Sequence, residues 1–214
     1  MPTETNEAGE LLHRAAEGDE QAVNELFKQY RDRLRAMVRL RLNRRLQGRV
    51  DPSDVLQEAY LEVSKHFAEF VKSPPMPFFL WLRYITGQKL IALHRRHLGA
   101  HMRDAEMEVS LYRGALPQAS SVSLAAQLLG RITSASHAAI RAETQVRVQE
   151  ALNSMEPIDR EVLALRHFEM LSNAEVAQVL DISKTAASNR YVRALTRLRE
   201  ILSAIPGFAE ACLD

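Results

Sequence analysis

The side chains best suited to chemistry lie on one outward stripe near the C-terminal end: Lys184, Ser188, Asn189, Arg190, Arg193 and Arg197. Ammonium and guanidinium groups hold phosphates, and Ser and Asn exchange hydrogen bonds with base edges, so this set fits recognition of duplex DNA. A second set is acidic: Asp54, Glu58 and Glu62 recur every fourth residue and so share one helical face. Three like charges in a row repel mildly, which favours something positive close by. A third set mixes aromatic and cationic side chains around a proline-rich loop: Phe67, Phe70, Lys72, Phe78, Phe79, Trp81, Arg83, Tyr84 and Lys89. Flat rings beside cations can offset the cost of unstacking a duplex. Trp81, however, shares an apolar face with Leu82 and Ile85 and is assigned to packing. His94, His97 and His101 have a spacing that suits a metal ion, but Arg95, Arg96 and Arg103 crowd the same segment and oppose a cation. No metal or other cofactor is expected. A metal-dependent nuclease would need a carboxylate cluster gathered with these histidines; the chain is read as lacking one near His94 to His101, and as lacking a phosphate-binding loop, so it is not read as an enzyme.

The basic stripe needs a support, and the sequence Leu171 to Leu202 supplies one. Ser172-x-x-Glu175 is a capping box that opens a short helix whose apolar side is Val176, Ala177, Val179 and Leu180. Asp181 stands where the chain must turn sharply, Ile182 can plug the gap, and Ser183 can cap a second helix. Tyr191, Ala194, Leu195, Leu198 and Leu202 keep one face of that second helix inward. This is the layout of a helix-turn-helix, which lays its second helix in a major groove.

Further upstream, Glu20 to Leu46 carries a helical period ended by Gly48. Asp51-Pro52-Ser53-Asp54 then starts a helix with Asp51 as N-cap and Asp54 closing the box, continuing to about Phe70. Ser73-Pro74-Pro75-Met76-Pro77 must be a loop, and a further helix follows from Phe78 to Leu98. Residues 99–142 carry Gly, Pro and Ser punctuation with room for one short helix over 124–129, and read as a linker. Helices are expected over 144–154 and 157–168. The expected organisation is therefore all-α, with two small helical domains: residues 1–98 and 143–204, joined by a flexible linker and followed by a tail, 205–214.

Composition agrees. With 214 residues, few glycines and prolines, and a net charge of +1, the chain is helical and not a generic polycation. The single cysteine, Cys212, excludes an internal disulfide and a multi-cysteine zinc site. The start is polar and acidic and no apolar run approaches the ~20 residues needed to span a bilayer, which predicts a cytoplasmic protein without membrane insertion.

Two blocks together carry a family resemblance. DPSDVLQEAYLEV from Asp51 with FFLWLRYITGQKLIALHRRH from Phe78 forms the first, and MEPIDREVLALRHFEMLSNAEVAQVLDISKTAASNRYVRALTRL from Met155 the second. In this order the chain resembles a bacterial RNA polymerase sigma factor of the small extracytoplasmic-function type, which keeps only the second and fourth conserved sigma regions. The resemblance implies an alternative sigma factor that binds core RNA polymerase and directs promoter recognition and DNA opening. It implies that Asp54, Gln57 and Glu58, with Glu62 on the same face, pair with arginines of the polymerase's largest subunit. It implies that Lys72, Ser73, Phe78, Arg83, Gln88 and Lys89 face the melted downstream promoter element. The groove-reading positions correspond to Lys184, Thr185, Ala186, Ser188, Asn189, Arg190 and Arg193. Of these, Lys184, Thr185, Ser188 and Asn189 are expected to read bases, and Arg190 and Arg193 to hold phosphates. Here Ala186 stands where the family often has Thr, and Ser188 where it often has a basic residue. The implied partners are core polymerase and promoter DNA, with an anti-sigma factor as a further candidate. The alternative is a two-domain helix-turn-helix regulator that acts without entering polymerase; the acidic face and the proline-aromatic loop have no role in it.

Overall fold

The computed structural model describes residues 3–98, 116, 118–132 and 138–203. It is all-helical: among the described residues the β-type pairing is one isolated bridge, Gln47 to Val50. The chain divides into two compact units, Met1–Val38 with Arg44–Leu116, and Arg39–Asn43 with Pro117–Asp214.

The first unit is built from α1 (Thr3–Ala16), α2 (Glu20–Arg41) as far as Val38, α3 (Pro52–Lys72) and α4 (Phe78–Leu98), while the end of α2 from Arg39 belongs to the second unit. Local sequence sets its boundaries. Asp19 accepts the backbone N–H groups of Gln21 at 2.9 Å and Ala22 at 3.2 Å, capping α2, and pairs with Arg14 at 2.6 Å. Gly48 adopts φ +86°, open to glycine at no steric cost, and reverses the chain before α3. Asp51 caps α3 through the Ser53 N–H at 2.7 Å, one residue earlier than a full capping box uses, with Pro52 in the first turn. Ser73 to Pro77 breaks the helix as the prolines require, and α4 opens at Phe78. Leu26, Leu34, Met37, Val55, Ala59, Val63, Leu82 and Leu90 fill the core.

The second unit contains α5 (Ser121–Ile132), α6 (Ala138–Asn153), α7 (Pro157–Leu163), a π-helical turn (Ala164–Phe168), α8 (Asn173–Leu180) and α9 (Lys184–Ser203). Part of the stretch expected as linker, 121–132 and 138–142, is thus helical. Leu124, Ala125 and Leu129 of α5 are at most 1 % exposed and share a core with Val148, Leu152, Phe168, Ala194 and Leu198. Their spacing makes one apolar stripe, and burying each leucine is worth about 1.5–3 kcal/mol, which outweighs the scattered Ser and Gly signals around them. Residues 99–115, the tail 205–214, His101, Arg103 and Cys212 lie outside the described residues.

Candidate nucleic-acid interface

The helix-turn-helix forms as its residues dictate. The Ser172 side chain accepts from the Glu175 N–H at 3.2 Å and the Glu175 carboxylate accepts from the Ser172 N–H at 2.7 Å, closing the capping box. Asp181 turns the chain in the left-handed region, φ 53° and ψ 49°. Ser183 caps α9 by accepting the Ala186 N–H at 3.1 Å. The Asn173 amide donates to the Lys184 carbonyl at 2.8 Å, tying the start of α8 to the start of α9. Ala187, Ala194 and Leu198 are buried, whereas Lys184, Thr185, Ser188 and Asn189 are exposed on the opposite side.

Arg190 and Arg193 stand on the flank of α9, engaged by the start of α7. The Arg193 guanidinium forks onto Asp159, Nε at 2.7 Å and Nη2 at 3.0 Å, and Arg190 Nη1 donates to the same carboxylate at 2.9 Å. Glu156 accepts from both, at 3.1 and 3.4 Å. Burial alone would raise the Asp159 carboxyl, but the hydrogen bonds and charges of Arg193 and Arg190 outweigh it and hold its pKa below the usual value. Both arginines are pushed the other way, chiefly by their hydrogen bonds to Asp159. Glu156 and Asp159 were not among the expected site residues; lying 31 to 37 positions from the arginines, they leave no local signal.

In the first unit a cavity of about 410 Å³ opens between the end of α3, the proline-rich loop and α4, lined by Glu62, Phe70, Ser73, Trp81, Gln88 and Lys89 among others. Three of the residues expected to face melted DNA, Ser73, Gln88 and Lys89, therefore line one cavity, and Lys72 is exposed at the end of α3. The other two are placed differently. Phe78 is buried against Phe67, Phe70, Trp81 and Tyr30, with ring centroids 5.6 to 6.0 Å apart, and Arg83 is only 4 % exposed. An aromatic cluster at the α3–α4 junction gains more from mutual packing than from facing water, so Phe78 belongs to the core and Arg83 is not a surface cation. Trp81 stacks on Phe70 at 4.3 Å and 19° and is 8 % exposed, as expected for packing.

On the acidic face of α3, Asp54, Gln57 and Glu58 are exposed. The chain itself supplies part of the expected positive charge. Lys89 of α4 donates to Glu62 at 2.8 Å, which lowers the Glu62 pKa, and Arg96 approaches Glu58 at 3.9 Å. His66 lies 3.1 Å from the other Glu62 oxygen, so Glu62 is anchored beside the cavity. Of the arginines between positions 31 and 49, Arg31, Arg39, Arg44, Arg45 and Arg49 are exposed. Arg33 lies 3.5 Å from the Phe79 ring centroid, and Arg41 is buried and paired with Glu161 and Glu169. His94 is 2 % exposed and burial lowers its pKa, so it is neutral at physiological pH. Among the described residues no three His, Cys, Asp or Glu side chains converge to hold a metal, and no helix is long and apolar enough to cross a membrane.

An all-helical chain that presents a polar and basic helix from a capped helix-turn-helix is a DNA-binding protein by architecture. The model of the ECF sigma factor family matches residues 5–203, and the chain belongs to that family. It is an alternative sigma factor, which works with RNA polymerase to direct promoter recognition. It is 29% identical over 203 residues to the ECF RNA polymerase sigma factor ShbA of Streptomyces griseus, spanning 92% of this chain and 96% of that one. The fold is similar to CnrH, solved in complex with the cytosolic domain of CnrY, with a TM-score of 0.52 at 24% identity over 91% of this chain and 96% of CnrH. Sigma factors are initiation factors, and the regulator that never enters polymerase is not favoured.

Proposed function

We propose a division of labour between the two units at a promoter. The second unit reads the upstream element as duplex: Lys184, Thr185, Ser188 and Asn189 face the base edges and Arg190 and Arg193 the adjoining phosphates. The first unit grips core polymerase through Asp54, Gln57 and Glu58, with Glu62 at the margin of that face. It holds the melted downstream element at the cavity through Lys72, Ser73, Gln88 and Lys89. Residues 1–98 and 143–204 are the two working segments of this proposal, with at least 99–115 as the connection between them. The observation that carries the reading is the capped helix-turn-helix, whose α9 exposes Lys184, Thr185, Ser188 and Asn189 on one side while Ala187, Ala194 and Leu198 are buried. The cavity supports the second half: its size falls in the range that encloses small flat ligands, and a displaced base is such a ligand. The chain supplies recognition and strand separation and catalyses nothing itself. It acts in the cytoplasm, and an anti-sigma protein is proposed as its restraint, by analogy with CnrH, which was solved bound to a protein domain.

Lys184→Ala and Asn189→Ala test the duplex half. Lys184→Ala and Asn189→Ala are each expected to change base preference at a position of the upstream element, and Lys184→Ala also lowers affinity generally because it removes an exposed cation. If both leave duplex binding unchanged, α9 is not the reader.

A further inference from the structure

We propose that Asp159 is a built-in substitute for DNA phosphate, occupying Arg190 and Arg193 so that the general affinity for duplex stays low and discrimination falls to Lys184–Asn189. The inference rests on the reading that α9 enters the groove. Its basis is the geometry at the flank of that helix. The Asp159 side chain is only 6 % exposed, whereas those of Arg190 and Arg193 are 29 % and 55 % exposed. The buried carboxylate is fixed in α7, and the guanidinium groups reach from α9 to meet it. The fork of Arg193 on Asp159, 2.7 and 3.0 Å, is the paired geometry that a guanidinium would offer a phosphate. Arg190 Nη1 is likewise divided between Asp159 at 2.9 Å and Glu156 at 3.1 Å. Two cations and two carboxylates cancel, so this flank brings little net charge to DNA.

A phosphate oxygen approaching α9 must therefore share or displace these bonds. Non-specific affinity arises from phosphate neutralisation and the release of condensed counterions, and it grows with each unopposed cation. An arginine already neutralised within the protein adds little to that term. Its ordered side chain still limits where α9 can rest. A sigma factor that bound every duplex tightly would spread over the chromosome, so low general affinity favours the correct site.

The test uses the full chain, a random-sequence duplex and binding isotherms between about 50 and 200 mM salt. Asp159→Asn keeps the size of the side chain and removes its charge. It is expected to tighten binding to random duplex several-fold at low salt. It should also steepen the dependence of log affinity on log salt by about 1 to 2, at roughly 0.9 per phosphate gained. The same substitution placed on Arg190→Ala with Arg193→Ala should leave the slope of that background unchanged. An unchanged slope in the first case overturns the proposal. So does an equal steepening in the second, because it would mean that any lost carboxylate acts alike. If Asp159→Asn fails to fold, Glu156→Gln at the exposed end of the cluster should still steepen the slope by up to about 1, and no change there overturns the proposal. Lys184→Ala separates the two claims. If it weakens duplex binding while Asp159→Asn changes nothing, only the inference about Asp159 fails; if it has no effect, the placement of α9 on DNA fails.

Discussion

Replacing Phe78 with alanine separates a core ring from a DNA-facing one. Phe78 is 7 % exposed and lies within 6.0 Å of Tyr30, Phe67, Phe70 and Trp81, centroid to centroid. Removing a buried phenylalanine costs about 3–5 kcal/mol, the transfer of its surface plus the cavity it leaves. The aromatic pairs place Phe78 toward the upper part of that range. Such a loss is a large share of the ~5–15 kcal/mol that holds a domain together. Guanidinium unfolding slopes for small domains run at about 2–6 kcal/mol per molar, so the midpoint should fall by roughly 1 M. The assay reports on the correct unit, because Trp81 is the only tryptophan and its ring lies 5.8 Å from Phe78. Its fluorescence therefore follows unfolding of the first unit, and Phe78→Leu should lose much less. A midpoint for Phe78→Ala equal to that of the parent, together with slowed strand opening in permanganate footprinting, would refute the core assignment and return the ring to DNA.

Other expectations are equally direct. Asp54→Ala with Glu58→Ala should reduce co-elution with core polymerase in gel filtration while duplex affinity stays as it was. Asp181→Val, forced into φ 53°, should destabilise the second unit by about 1–2 kcal/mol in chemical denaturation, whereas Asp181→Gly should be nearly neutral. Asp159 should confer acid-sensitive stability. Its folded pKa is depressed, so its contribution is fully present above the unfolded value of about 3.9 and is lost as pH falls through the folded value. Denaturation of the parent and of Asp159→Asn should thus differ by a constant amount above about pH 5 and converge in acid.

What was legible in the sequence was local. Ser172, Glu175, Asp181, Ser183, Asp51 and Pro52 act on backbone groups within three or four residues, so their types alone placed the helix ends. The alternation that buries Ala187, Ala194 and Leu198 and exposes Lys184, Ser188 and Asn189 is likewise a property of one helix. The expected linker overlapped α5 because Ser120, Gly130 and Ser134 are strong punctuation, although Leu124, Ala125, Leu128 and Leu129 already form an apolar stripe. Phe78 and Arg83 were ambiguous in kind: aromatic and basic residues suit either a DNA surface or a junction between helices, and only packing decides. The ion pairs were out of reach. Glu62 meets Lys89 across 27 residues and Asp159 meets Arg190 across 31, distances at which charge carries no register. The π-helical turn at Ala164–Phe168, which closes with the Glu169 N–H on the Ala164 carbonyl at 3.1 Å, left no mark in the residue types either.

The central claim is that this chain gives polymerase its promoters by reading them at two places, and run-off transcription tests it most directly. Purified core polymerase with the full chain should start at defined sites on genomic templates. Those starts should share an upstream element whose recognition shifts with Asn189→Ala. Transcripts identical to those of core polymerase alone, or defined starts indifferent to every substitution in Lys184–Asn189, would contradict the account.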